Sequence, residues 1–142
     1  MATLDAQQLQ AILGAAFPDA MVPRVEEVGD DNVLMCMPIS NSHGRPGGTL
    51  SGPTMMALAD TSAWIAILAQ IGPVLLTVTT SLHIDFLRKP KLDDLMAKAR
   101  VLKLGRKLAV VDVELFSRGS TELVAKAQVT YSLPSSDASG TR

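Results

Sequence analysis

Asp60 is the one charged residue between Pro53 and Ile71, a segment that otherwise carries Met55, Met56, Leu58, Trp64, Ile65, Ile67, Leu68 and Ile71. An ionised carboxylate among such neighbours is costly unless it is paired or put to use. The plain structural alternative is an aspartate that meets solvent or an ion pair at a subunit boundary. Just before the segment stands Gly48-Thr49-Leu50-Ser51-Gly52-Pro53. A glycine at a helix start lets a carbonyl approach free backbone N–H groups, where the helix dipole favours developing negative charge. That is the physics of an oxyanion hole. The same residues also make an ordinary helix start, with Ser51 or Gly52 as cap and Pro53 in the first turn.

The elements that must hold these groups are legible in the hydropathy pattern. Pro53 to Ile71 reads as a helix apolar on nearly all sides, hence a buried one, ended by Gly72-Pro73. Leu9, Ile12, Leu13 and Ala16 have helical spacing within Leu4 to Phe17, closed by Pro18. Met21 to Val28 and Val33 to Ile39 read as strands around the turn Gly29-Asp30-Asp31-Asn32. The loop from Ser40 to Gly48 is too rich in Gly and Pro for regular structure. Leu75 to Leu87 reads as a long strand, and Leu95–Val101, Ala109–Leu115 and Leu123–Tyr131 alternate apolar and polar positions. Such alternation predicts antiparallel strands with one buried face. His83 is expected to share a face with Thr79, Ser81 and Asp85. Residues 1–134 form one domain, and 135–142 are expected to be a disordered tail.

Composition narrows the function classes. The chain has 142 residues, 47% hydrophobic and 19% charged, which suits one domain with buried subunit interfaces. Thirteen Lys and Arg against fourteen Asp and Glu leave a net charge of -1, too little basic field for nucleic-acid binding. One cysteine, Cys36, has no internal disulfide partner, and with two histidines it makes no structural zinc site; no metal is expected. Thr61 to Leu82 is an uncharged run of 22 residues, but Gly72-Pro73 interrupts it and its second half is β-branched. It is therefore expected to be a buried helix and a strand rather than a membrane span. With no cationic, apolar leader in MATLDAQQLQ, a cytoplasmic location is expected.

One buried helix and about six antiparallel strands restrict the architecture to an α+β hot-dog fold. In it the sheet curls around the long central helix, beside a short N-terminal helix. The uncovered side of the helix and the free sheet edge then call for a second subunit.

Gly48-Thr49-Leu50-Ser51-Gly52-Pro53, six further residues and Asp60-Thr61 resemble the helix motif of hot-dog acyl-CoA thioesterases of the phenylacetic-acid-pathway (PaaI-like) family. That motif reads roughly Gly-x-x-His-Gly-Gly, six residues, Asp-Thr. Ile84-Asp85-Phe86-Leu87-Arg88 resembles the family's strand motif, and the likeness runs from about Val33 to Leu133. The resemblance implies that Asp60 is general base or nucleophile and that the Gly52 N–H polarises the thioester carbonyl. It puts Thr79 or Thr80 near the attacking water. Asn41 stands for a loop asparagine at a longer spacing than the family's, with Arg45 at the shorter one. Ser51 replaces the histidine and Pro53 the second glycine.

Acyl-CoA is then the substrate, with coenzyme A part of it and no separate cofactor. Met37, Met55, Met56 and Trp64 are candidates for an acyl tunnel. Arg88, Lys89, Lys91, Lys103, Arg106 and Lys107 are candidates for the coenzyme A phosphates. A homodimer or homotetramer with the site between protomers is expected. The rival reading is a non-catalytic acyl-CoA-binding or regulatory hot-dog protein, favoured by Ser51. A hydratase is disfavoured, because no histidine lies on the central helix.

Overall fold

A computed structural model describes residues 2–18, 22–39, 44–45, 49–74, 76–91 and 93–134. Helix α1 spans Ala6–Ala16 and opens with a capping box: the Asp5 carboxylate accepts from the Gln8 N–H at 2.8 Å, and the Gln8 side chain accepts from the Asp5 N–H at 2.9 Å. Strands β1 (Arg24–Val28) and β2 (Asn32–Met37) follow. The segment expected to lack regular structure instead carries a two-residue ribbon, β3 (Gly44–Arg45) paired with β4 (Thr49–Leu50). Backbone groups pair whatever the side chains.

Helix α2 (Gly52–Ile71) precedes strands β5 (Val78–Phe86), β6 (Leu95–Leu104), β7 (Leu108–Ser117) and β8 (Leu123–Ser132). Six strands form one antiparallel sheet in the order β1-β2-β6-β7-β8-β5, curled around α2 as the hot-dog reading requires. Leu58, Ile65, Ile67 and Leu68 of α2 are fully buried against the alternating inner row Val33, Ala97, Ala99, Val111, Val113, Ala127 and Val129. Each such aliphatic side chain contributes about 1.5–3 kcal/mol. The small residues of the inner row let the helix lie close to the strands. By length and composition α2 could cross a membrane, yet most of it is buried inside the fold, as for the core helix of a folded domain.

One stripe of α2 is treated differently along its length. Pro53, Met56 and Ala57 are exposed and Asp60 and Thr61 half-buried, which is i, i+3, i+4, i+7, i+8 spacing. Trp64 continues the stripe but is only 8% exposed. There α1 closes over it, with Phe17 and Trp64 meeting edge to face at 6.2 Å. Leu9 and Leu13, both fully buried, anchor α1, and the Gln10 side chain accepts from the Val25 N–H at 2.7 Å. The N-terminal half of the stripe stays open, as does the edge strand β5, where Val78 is 60% and Phe86 50% exposed.

Away from this face, Arg118 ties strand ends together. It pairs with Glu26 at 2.8 Å and Asp94 at 3.3 Å, and it donates to the Cys36 sulfur at 3.2 Å. Arg24 meets the same Glu26 oxygen at 2.7 Å. Hydrogen bonds from Arg24 and Arg118 hold the Glu26 carboxyl below its ordinary value, while burial pushes the Cys36 thiol up.

Candidate active site

Asp60 sits two turns into α2, at the point where the open stripe passes under α1. Its carboxylate is held at one oxygen. Thr79 Oγ1 donates to Oδ1 at 2.7 Å and the Tyr131 phenol reaches the same atom at 2.9 Å. The phenol is also 2.9 Å from the Asp60 backbone carbonyl. Among the described residues no partner falls on Oδ2, which is left to water or a ligand. Burial pushes the Tyr131 phenol well above its ordinary value; a hydrogen bond with Thr79 offsets part of this and the Asp60 charge adds to it. Tyr131 therefore stays a donor at any physiological pH.

The backbone explains which threonine serves. Phe86, Ile84 and Leu82 pair with Ala125, Ala127 and Val129 and share their inner side. Simple alternation would bring Thr80 to that side next. The register shifts between Thr79 and Ser81, so Thr79 pairs with Tyr131 instead, and Thr80 is the extra, exposed residue of a bulge. The same shift corrects the expectation for His83. It stays with Ser81 and Asp85 on the outer side, 3.1 Å from the Asp85 carboxylate, and not with Thr79.

A cavity of about 380 Å³ opens beside the carboxylate. Thr77, Val78, Thr79 and Tyr131 form one wall, Thr61 and Trp64 another, and Ala16 and Phe17 of α1 a third. Of the expected tunnel residues only Trp64 lines it. Met55 and Met37 belong to the core, and Met56 is exposed on the open stripe. The contributions of Tyr131 and of α1 were missed in the sequence reading. For Tyr131 a signal existed: it is the one hydroxyl on an inner face of β8 that otherwise reads Ala125, Ala127 and Val129.

The helix start forms a second cluster. Ser51 is the N-cap of α2, its oxygen 3.3 Å from the Thr54 N–H and 2.8 Å from the Thr54 hydroxyl. Gly52 opens the first turn, and among the described residues a Cβ there would meet Phe86 alone, at 3.5 and 3.8 Å. The exposed Arg88 lies beyond the Phe86 end of β5, bound to Glu122 at 3.0 Å and to the Leu123 carbonyl at 2.8 Å; Lys89 is exposed beside it. Arg106 lies in the β6–β7 turn, at the end of the sheet where Ala109 pairs with Tyr131. Asn41 lies outside the described residues, as does the 135–142 tail, and Arg45 is placed only by its backbone in β3. Among the described residues no three His, Cys, Asp or Glu side chains are grouped to hold a metal ion.

The two clusters stand apart within one chain. Gly52 and Asp60 are about 12 Å apart along the helix at 1.5 Å per residue. Thr79 and Phe86 are about 23 Å apart along β5 at 3.3 Å per residue. The sheet curled around α2, with a carboxylate beside a small cavity on that helix, defines a hot-dog protein.

Known proteins agree with that class. The Thioesterase superfamily model matches residues 47–124. A candidate esterase of Pseudomonas aeruginosa is 31% identical over 103 residues, covering 72% of this chain and 75% of that protein. The solved structure of a candidate thioesterase from Silicibacter sp. TM1040 is 42% identical, covers 94% of both chains and superposes with a TM-score of 0.87. A hypothetical thioesterase from Streptococcus pneumoniae, solved with coenzyme A, shares the fold at 23% identity, with a TM-score of 0.72 over 91% of this chain and 96% of that one. The chain belongs to the Thioesterase superfamily.

Proposed function

We propose that the protein is a cytoplasmic acyl-CoA thioesterase of the PaaI-like branch, working as a dimer or as a tetramer built from two dimers. The observation that carries this is the Asp60 carboxylate, pinned at Oδ1 by Thr79 and Tyr131 beside the apolar cavity. Oδ2 takes a proton from water as the water oxygen attacks the thioester carbonyl carbon. Negative charge on the carbonyl oxygen is met by a Gly52 N–H. The carbon–sulfur bond then breaks, giving the carboxylic acid and coenzyme A, whose thiolate takes up a proton.

The two half-sites of one chain are too far apart to act on one carbonyl. Antiparallel pairing of β5 with a second copy sets the Val78 end of one strand against the Phe86 end of the other. Asp60 of one protomer then meets Gly52 of its partner, and the exposed Val78, Phe86 and Met56 are covered. Arg88 and Lys89 arrive with the second copy, where the coenzyme A phosphates would lie. The coenzyme A held by the Streptococcus pneumoniae relative supports this substrate class.

Steady-state hydrolysis over a panel of acyl-CoA esters, beside oxygen esters of the same acids, tests the proposal. It expects kcat/KM to be highest for one or more acyl-CoA esters. Tight acyl-CoA binding with no turnover of any ester would establish the non-catalytic reading instead.

A further inference from the structure

Tyr131 is the single tyrosine of the chain. Its neighbours along the inner face of β8 are apolar, and its side chain is only 4% exposed. A hydroxyl in such a place must find a partner or cost stability. Its partner is the one charged side chain of α2, and the phenol reaches both the Oδ1 and the backbone carbonyl of Asp60.

We propose that Tyr131 is a positioning residue: its hydroxyl, with that of Thr79, fixes the rotation of the Asp60 carboxylate so that Oδ2 faces the cavity. This deepens the thioesterase reading and rests on it. An aspartate terminal torsion is broad and two-fold, so one anchored oxygen decides where the other points. Two donors from two strands converge on the same atom, Thr79 from β5 and Tyr131 from β8. Because the phenol stays protonated, the anchor does not let go as pH rises. The bulge at Thr80 is what puts Thr79 and Tyr131 side by side. Tyr131 acts through Asp60 and not on the scissile bond.

The test is a double-mutant cycle. Tyr131→Phe should lower kcat about tenfold with KM changed less than about twofold, since one hydrogen bond to a charged group is lost and the ring is kept. In the Asp60→Asn background the same change should lower kcat no further, because the effect runs through the carboxylate. Uniform 3-fluorotyrosine labels position 131 alone, and its fluorine resonance should move on Asp60→Asn, a readout independent of turnover. Equal losses from Tyr131→Phe in both backgrounds, or a change in Tm with kcat intact, would make the phenol a strut between β8 and α2 and overturn the proposal. If Asp60→Asn itself hydrolyses at the wild-type rate, the thioesterase mechanism fails first. If Asp60→Asn is inactive and Tyr131→Phe is not impaired, only the positioning role falls.

Discussion

Asp60→Asn separates chemistry from structure because the amide can keep the geometry. Asn Oδ1 still accepts from Thr79 and Tyr131, at 2.7 and 2.9 Å in the native protein. Each bond falls from the charge-assisted range, about 1.5–3 kcal/mol, to the neutral range, about 0.5–1.5 kcal/mol. The loss is about 1 kcal/mol per bond, or about 2 kcal/mol together. Relief of a half-buried charge offsets part of it. At roughly 2–4 °C per kcal/mol for a chain of this size, Tm should fall by no more than about 8 °C. Turnover loses its base, so kcat should drop at least about 10²-fold, which is about 2.7 kcal/mol on the barrier, with acyl-CoA affinity retained. Thiol release followed by a colorimetric reagent, calorimetry for affinity and a thermal melt read the three quantities. Hydrolysis at the wild-type rate by a folded Asp60→Asn protein would refute the mechanism.

Gly52→Ala has room within one protomer, so Tm should hold or rise slightly, since alanine is favoured over glycine in a helix by about 0.5–1 kcal/mol. Its methyl crowds the carbonyl's approach to the N–H, and kcat/KM should fall; an unchanged kcat/KM would remove Gly52 from the site. Ser51→Ala should cost about 0.5–2 kcal/mol as a lost cap and lower Tm accordingly, whereas an unchanged Tm with lost turnover would put the hydroxyl on the substrate. Because the Glu26 carboxyl is held below its ordinary value of 4.5, its contribution is present above that pH and is lost as pH falls below it. Glu26→Gln should flatten the Tm-against-pH curve there, and parallel curves would refute the coupling. Sedimentation should show a dimer or larger at micromolar concentration; a stable monomer would refute the shared site.

Period-two alternation and the apolar helix were enough to read the hot-dog sheet and its core, because burial acts on every second strand residue and on most sides of α2. Asp60 and Gly52 stood out for a similar local reason, as a charge and a backbone opening in an apolar setting. Thr79 and Thr80 could not be separated by pattern, because a bulge inserts one residue without altering composition. The same insertion put His83 on the wrong face relative to Thr79. Tyr131 read as one more apolar position, since alternation reports the ring and is blind to the hydroxyl. Phe17 closes its own helix in sequence, and only the docking of α1 on α2 reveals it as cavity wall. The β3–β4 ribbon was missed because its pairing is made by backbone alone.

The way α1 is held has an evolutionary consequence. Leu9 and Leu13 fasten it to the fold, whereas Ala16 and Phe17, on its last turn, border the cavity. Anchoring and lining are thus borne by different residues of one short segment. A change at position 16 or 17 resizes the cavity beside Asp60 and leaves the sheet and the hydrogen bonds to the carboxylate in place, although at 17 it also alters the ring that packs on Trp64. The shape of the cavity can drift through single substitutions at the end of α1 while α2, β5 and β8, which hold the carboxylate, are inherited unaltered.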